Sequence, residues 1–237
     1  MAKHIFISDI HLGSPLQKNH DDLLDAIVEK CDNMFLIGDI IDVWEDDLED
    51  IIKDRRNGMI ISSINMVSKL IPVYIIRGNH DPTIKELKKI FPKCRIYDKL
   101  KMDINGDKYI LIHGHQFDDL IIKYSFLAKL FFIIYWICER FGLNLRRWFK
   151  KIYHSVSNKS NKSYYYDLVD DIDVEMINKY QKDYDFVVSG HTHCPRILQN
   201  NNIVYINCGD WIENNSYVVF EDRKFKIIKG YKSCLHV

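Results

Sequence analysis

Short runs rich in Ile, Val, Phe and Tyr recur along the chain, each broken by a polar or glycine-bearing cluster. His4–Ser8, Met34–Ile37, Val73–Ile76, Tyr109–Ile112, Phe186–Ser189, Val204–Asn207, Tyr217–Phe220 and Phe225–Ile228 predict strands, being short and built from β-branched and aromatic residues. Asp21–Cys31, Arg55–Leu70, Ile84–Ile90 and Asp173–Lys182 carry amphipathic spacing and predict helices. Strand and helix alternate, which predicts an α/β fold whose strands are buried on both faces. The last strand runs follow one another without a helix, so part of the sheet is expected to be antiparallel. The acid-rich run Asp46–Asp50 and the polar stretch Asn158–Ser163 read as loops.

Residues 118–166 interrupt the alternation and read as an inserted helical subdomain. Leu120–Arg140 is helical in composition but apolar on nearly every face, and Asn144–His154 sets Arg146, Arg147, Lys150 and Lys151 beside Trp148 and Phe149. Between Leu120 and Tyr166 there are nine basic residues against the single acid Glu139. The apolar helix could pack on the core. An apolar and cationic surface also suits an acyl chain beside an anionic headgroup, so residues 120–154 are expected to touch a membrane surface peripherally. The longest uninterrupted apolar run, Leu130–Cys138, is far shorter than the ~20 residues of a spanning helix.

Composition narrows the setting. The 237 residues are 47% hydrophobic and 28% charged, as in ordinary globular proteins. Lys+Arg and Asp+Glu both number 33, and this zero net charge argues against a general nucleic-acid binder. None of the six cysteines forms a CxxC pair and strand-like sequence begins at His4, which predicts free thiols in a cytoplasmic compartment.

Polar residues concentrate where the strands end. Asp9-Ile10-His11 follows the first run, Gly38-Asp39-Ile40-Ile41-Asp42 the second and Gly78-Asn79-His80-Asp81 the third. His113-Gly114-His115 and Gly190-His191-Thr192-His193 follow the next two. Any one of these would be an ordinary turn. Together, five strand ends deliver carboxylates and imidazoles to one rim of an α/β sheet, where ligands bind, and burying such a set without cations would be costly. The mixture of Asp, Asn and His without thiolates suits Mn²⁺, Fe or Zn²⁺ better than it suits a structural thiolate site.

These five motifs, in this order, resemble the calcineurin-like metallophosphoesterase superfamily over roughly residues 1–220. The resemblance implies an α/β sandwich of two central sheets flanked by helices, and a two-metal hydrolase. It places Asp9, His11 and His193 on a first metal, Asn79, His113 and His191 on a second, and Asp39 between them. Two such cations would polarise phosphoryl oxygens and activate a water for in-line attack. His80 is the candidate proton donor to the leaving group, and the resemblance implies that Asp42 orients its ring. Arg77 could hold a phosphate or form a surface ion pair. His115 is either a neighbour of the ligands or a surface residue.

One branch is closer. Gly38-Asp39-x-x-Asp42-x-Trp44, Arg77-Gly78-Asn79, the insertion before Gly190-His191-Thr192-His193, and Gly209-Asp210-Trp211 are similar to the UDP-2,3-diacylglucosamine pyrophosphohydrolase family of lipid A synthesis. That resemblance implies hydrolysis of a lipid-linked nucleotide with release of UMP, Mn²⁺ dependence, and an insertion that caps acyl chains. Lys159, Ser160 and Lys162 are candidate substrate contacts in the cap. The family usually has Arg where this chain has His80 and Asp where it has His115. There the chain follows the general phosphoesterase pattern, which leaves a soluble phosphodiesterase or phosphatase acting on nucleotides, phosphodiesters or phosphoproteins as the alternative.

Overall fold

A computed structural model describes residues 2–104, 106–118, 162–200 and 202–230, with the backbone alone over 162–170. Two compact units are present, one of Met1–His115 with Met176–Val237 and one of Gln116–Glu175. Nearly all of the expected cap, including the segment 120–154 and the candidate contacts Lys159 and Ser160, lies outside the described residues, as does the side chain of Lys162.

The larger unit holds two sheets. The first, in the order β11-β10-β1-β2-β3-β4, comprises β1 (His4–Ile7), β2 (Asn33–Ile37), β3 (Val73–Ile76), β4 (Arg95–Tyr97), β10 (Ser216–Glu221) and β11 (Lys224–Lys229). The second, β5-β6-β7-β9-β8, comprises β5 (Lys99–Ile104), β6 (Asp107–Ile112), β7 (Phe186–Ser189), β8 (Arg196–Asn200) and β9 (Ile203–Asn207). The helices are α1 (His20–Val28), α2 (Leu48–Lys53), α3 (Arg55–Val67), α4 (Ile84–Ile90) and α5 (Lys162–Tyr180).

Strand alternation sorts side chains between two cores. Ile5, Ile7, Met34, Leu36, Val73 and Ile75 face one way, into a cluster with Leu23 and Ile27 of α1, Ile60 and Ile64 of α3, and Leu87 of α4. Phe6, Phe35, Ile37 and Ile76 face the other way and meet Tyr109, Leu111, Val188 and Ile206 of the second sheet. Aromatic rings dominate that inter-sheet layer: Phe6 stacks on Phe35 at 4.8 Å, Phe35 on Tyr74 at 4.9 Å, and Tyr109 on Phe186 at 4.6 Å between centroids. Their size fills the wide gap between two sheets, while branched aliphatics pack more closely against helices.

The topology positions the site. β1, β2 and β3 run parallel, as do β6, β7 and β9, so the loops after six strands leave from carboxyl ends. The final strands β10 and β11 are antiparallel, as expected.

Three strands and two helices depart from the expected pattern. β4, β5 and β8 lie at or next to sheet edges with alternate residues in solvent, so their sequences carry half the apolar signal of a central strand. The run Asp46–Asp50 is not all loop: α2 begins at Leu48 and is anchored by buried Ile51. α5 starts at Lys162 rather than Asp173, because its tyrosine-rich first turns carry no apolar stripe.

Candidate metal centre

The residues that end the strands share an uncommon backbone conformation. Asp9 (φ 52°), His11 (52°), Asp39 (52°), His191 (68°) and His193 (53°) all lie in the left-handed region. Each such residue costs on the order of 1–2 kcal/mol. Strain of this kind persists where surrounding structure over-determines it, and it concentrates at functional sites. Backbone bonds tie the loops together: Asp9 N–H donates to Gly38 O at 3.0 Å, His11 N–H to Asp39 O at 2.9 Å, Trp211 N–H to Asp9 O at 3.0 Å, and Gly190 N–H to His113 O at 3.0 Å. Gly38 is required twice over, by its φ of 80° and because a Cβ there would strike the His113 ring.

Among the described residues, three groups of candidate ligand atoms converge: Asp9 with His11 and His193, Asp39 with His113 and His191, and Asp42 with His11 and His80. Asp9 Oδ1 is 3.2 Å from His193 Nε2 and 3.8 Å from His11 Nε2, and those two nitrogens are 3.3 Å apart. Asp39, His113 and His191 form the second group, each group placing its ligand atoms within 4.8 Å of one another. Asp39 Oδ2 faces both, at 3.2 Å from His113 Nε2 and 3.8 Å from His11 Nε2. Asn79 follows Gly78, where a Cβ would strike Asp39, and precedes His80, whose N–H donates to Asp39 Oδ1 at 2.8 Å.

Three atoms test whether cations fit. Asp9 Oδ1, Asn79 Oδ1 and His113 Nε2 are buried without a hydrogen-bond partner. His113 Nδ1 donates to Ile37 O at 2.9 Å, so Nε2 presents its lone pair in the neutral ring. Buried lone pairs from a carboxylate, an amide and an imidazole at the ends of β1, β3 and β6 are what divalent cations satisfy and a proton-only network leaves unpaired.

The electrostatics agree. Burial alone would raise Asp9 and Asp39, but His193 and His113 hold Asp9 well below the usual carboxylate range, and His113 does so for Asp39. Burial would lower His113, yet Asp39 and Asp9 push it up to about 9; His11 and His193 also rise against burial through their carboxylate neighbours. The two carboxylates demand positive charge, which the histidines supply as protons when no metal is bound. His115 is half-buried, 5.5 Å from the His113 ring, and burial with its two histidine neighbours drives it down to about 3. It therefore sits beside the second candidate group with its proton affinity reduced.

Asp42 serves two imidazoles at once. Oδ2 accepts from His11 Nδ1 at 2.8 Å, while Oδ1 accepts from His80 Nδ1 at 2.9 Å and from Trp44 N–H at 3.1 Å. Asp42 thus holds the ring of His80 and also that of His11, with His11 Nε2 turned toward Asp9. Burial would raise its pKa, but the hydrogen bonds from His11 and His80 hold it below the usual range. Arg77 Nε donates to Asp98 Oδ1 at 3.0 Å, an ion pair on the outer side of its loop.

Four supporting residues had no role assigned from sequence. Buried Asp81 accepts from Ile40 N–H at 2.8 Å, Ile41 N–H at 2.9 Å and Gly78 N–H at 2.8 Å, joining the loops after β2 and β3. Burial and the charge of Asp39 raise it to about 6 against those donors. Asn207 at the end of β9 donates to Gly190 O at 2.8 Å and accepts from Gly209 N–H at 2.9 Å. Asp210 accepts from Ile212 and Glu213 N–H at 2.8 and 2.6 Å, and Asn214 donates to His193 O at 2.7 Å. The signal available for these last three was a sixth polar cluster after a strand.

Comparison with known proteins agrees with this geometry. Residues 2–195 match the family model for calcineurin-like phosphoesterases. The UDP-2,3-diacylglucosamine hydrolase of Shewanella sp. (strain ANA-3) is 26% identical over 226 residues, covering 91% of this chain and 92% of its own. That of Coxiella burnetii (strain RSA 493 / Nine Mile phase I) is 25% identical over 247 residues, covering 96% and 97%. Among solved structures, a phosphoesterase from E. coli superposes with a TM-score of 0.51 at 16% identity, covering 95% of this chain and 92% of its own. An archaeal phosphodiesterase gives 0.50 at 15%, covering 96% and 99%. The chain belongs to the calcineurin-like phosphoesterase family. It is a hydrolase of phosphoester bonds, and its relatives in sequence include UDP-2,3-diacylglucosamine hydrolases. No helix among the described residues is long and apolar enough to cross a membrane.

Proposed function

We propose that the protein is a two-metal pyrophosphohydrolase that cleaves UDP-2,3-diacylglucosamine or a similar lipid-linked nucleotide and releases UMP. Asp9, His11 and His193 would hold one divalent cation, Asn79, His113 and His191 the other, with Asp39 serving both. The observation that carries this is the pair of convergent ligand groups sharing Asp39 and leaving Asp9 Oδ1, Asn79 Oδ1 and His113 Nε2 buried without partners. Mn²⁺ suits the oxygen-and-imidazole set. When bound, the cations supply Lewis acidity toward the phosphoryl oxygens and an activated water.

The chain's own groups do the rest. Ile37 O and Asp42 hold His113 and His11 with Nε2 free to ligate. Asp39 is kept ionised by its histidine neighbours, so its charge is available to both positions. His80 keeps Nδ1 on Asp42 and so presents Nε2 as the proton donor to the departing oxygen. The lipid-linked substrate rests on the two relatives' names and coverage, together with the basic, apolar segment 120–154, which would meet a membrane surface from the cytoplasmic side.

One observation favours a second reading. A phosphate leaving group departs readily without protonation, whereas an alkoxide needs an acid. The His80–Asp42 pair is equipped for the harder case, which suits a phosphodiesterase acting on phosphodiesters or nucleotides. Incubation of the Mn²⁺-loaded enzyme with UDP-2,3-diacylglucosamine beside an alkyl phosphodiester separates the two. Release of UMP at much the higher kcat/KM supports the lipid reading, and preference for the alkyl diester replaces it with the second.

A further inference from the structure

Trp44 is fixed in place beside the site, yet 49% of it is exposed. Its ring lies 4.3 Å from that of His80 between centroids, tilted by 31°, and its backbone N–H donates to Asp42 Oδ1. Large aromatic side chains are ordinarily covered, as Trp211 is in the core. An indole held at its backbone and at one face, with the remainder in solvent, has already lost the freedom a ligand would otherwise have to remove.

The surroundings narrow what such a surface takes. Glu45, Asp46 and Asp47 follow directly, so the segment repels phosphate groups and anionic headgroups. An acyl chain is better served by an enclosed apolar cavity than by one flat ring flanked with acids. A neutral planar heterocycle fits: it stacks on the indole and carries no charge for the acidic segment to repel.

We propose that Trp44 is a specificity-determining residue that stacks the nucleobase of the substrate next to His80. The inference rests on the reading that the substrate carries a nucleotide. It adds that the base, and not only the phosphates, is recognised. The position also accounts for the Trp in the Gly38-Asp39-x-x-Asp42-x-Trp44 motif, which has no part in holding metal.

The test uses the Mn²⁺-loaded full chain and two probes that differ only by the base, UMP and ribose 5-phosphate, with binding measured by calorimetry. The unaltered enzyme is expected to bind UMP about five- to a hundredfold more tightly, the range for one stacked base. In Trp44→Ala that ratio falls toward one, and in Trp44→Phe most of it survives. Thermal melting and metal content of each variant confirm that it is folded and loaded. A ratio near one in the unaltered enzyme overturns the inference. So does a ratio preserved in Trp44→Ala, including equal weakening of both probes, which would mean that Trp44 acts only by propping His80. Failure to release UMP from UDP-2,3-diacylglucosamine would defeat the lipid-substrate reading separately, since the two probes contain no lipid.

Discussion

Asp42→Asn probes the link between metal binding and proton donation. The substitution keeps the shape of the side chain but removes its charge and one acceptor. Asp42 accepts from His11 Nδ1 at 2.8 Å and from His80 Nδ1 at 2.9 Å, on different oxygens. An amide has one oxygen, so at least one imidazole must meet an N–H₂ group instead and either rotate or change tautomer. Each bond is charge-assisted and is worth about 1.5–3 kcal/mol. If His11 loses its partner, its Nε2 is no longer fixed toward Asp9, and metal affinity is expected to fall about 10–100-fold. If His80 loses its partner, the proton donor is misplaced and kcat on an alkyl phosphodiester falls by at least about tenfold. Calorimetric Mn²⁺ titration reads the first branch, and turnover at saturating Mn²⁺ reads the second. A variant with unchanged Mn²⁺ affinity and unchanged kcat would refute the reasoning and leave Asp42 as a turn residue supporting Trp44.

Other outcomes follow from the same geometry. His80→Ala should keep both metals and lose activity mainly on substrates with poor leaving groups; equal loss on activated aryl esters, read from kcat, would remove His80 as the acid. The metal-free protein should lose stability as pH rises from 6.5 through about 9, because folded His113 holds its proton up to about 9 while the unfolded imidazole releases it near 6.5. The loss is up to about 3 kcal/mol, and Mn²⁺ should abolish the trend because it replaces the proton; melting curves with and without metal across these pH values check both parts. Phe35→Ala opens a hole between the sheets where Phe35 stacks on Phe6 and Tyr74, and should cost about 3–5 kcal/mol in chemical denaturation without changing metal stoichiometry.

The candidate ligands stand out in the sequence because of how an α/β sheet is made. A buried parallel strand must be apolar throughout, so a carboxylate, amide or imidazole directly after it marks the carboxyl edge. That is why Asp9, Asp39, Asn79, His113 and His191 stand out. Supporting residues leave no such mark. Asp81 bonds to three backbone N–H groups on two loops, and that role depends on how the loops fold against each other, not on spacing. The second function of Asp42, toward His11, was hidden because the two residues are 31 positions apart. Strand β5 was hidden for another reason: it forms a sheet edge, and only alternate residues turn inward.

The most direct test is the number and coupling of bound ions. The chain should be stripped with chelator, reloaded with Mn²⁺, and studied by elemental mass spectrometry and electron paramagnetic resonance, beside Asp39→Asn. Two Mn²⁺ per chain with a spin-coupled spectrum that collapses in the variant is the predicted result. A single ion, or two uncoupled ions indifferent to the loss of Asp39, would contradict the account.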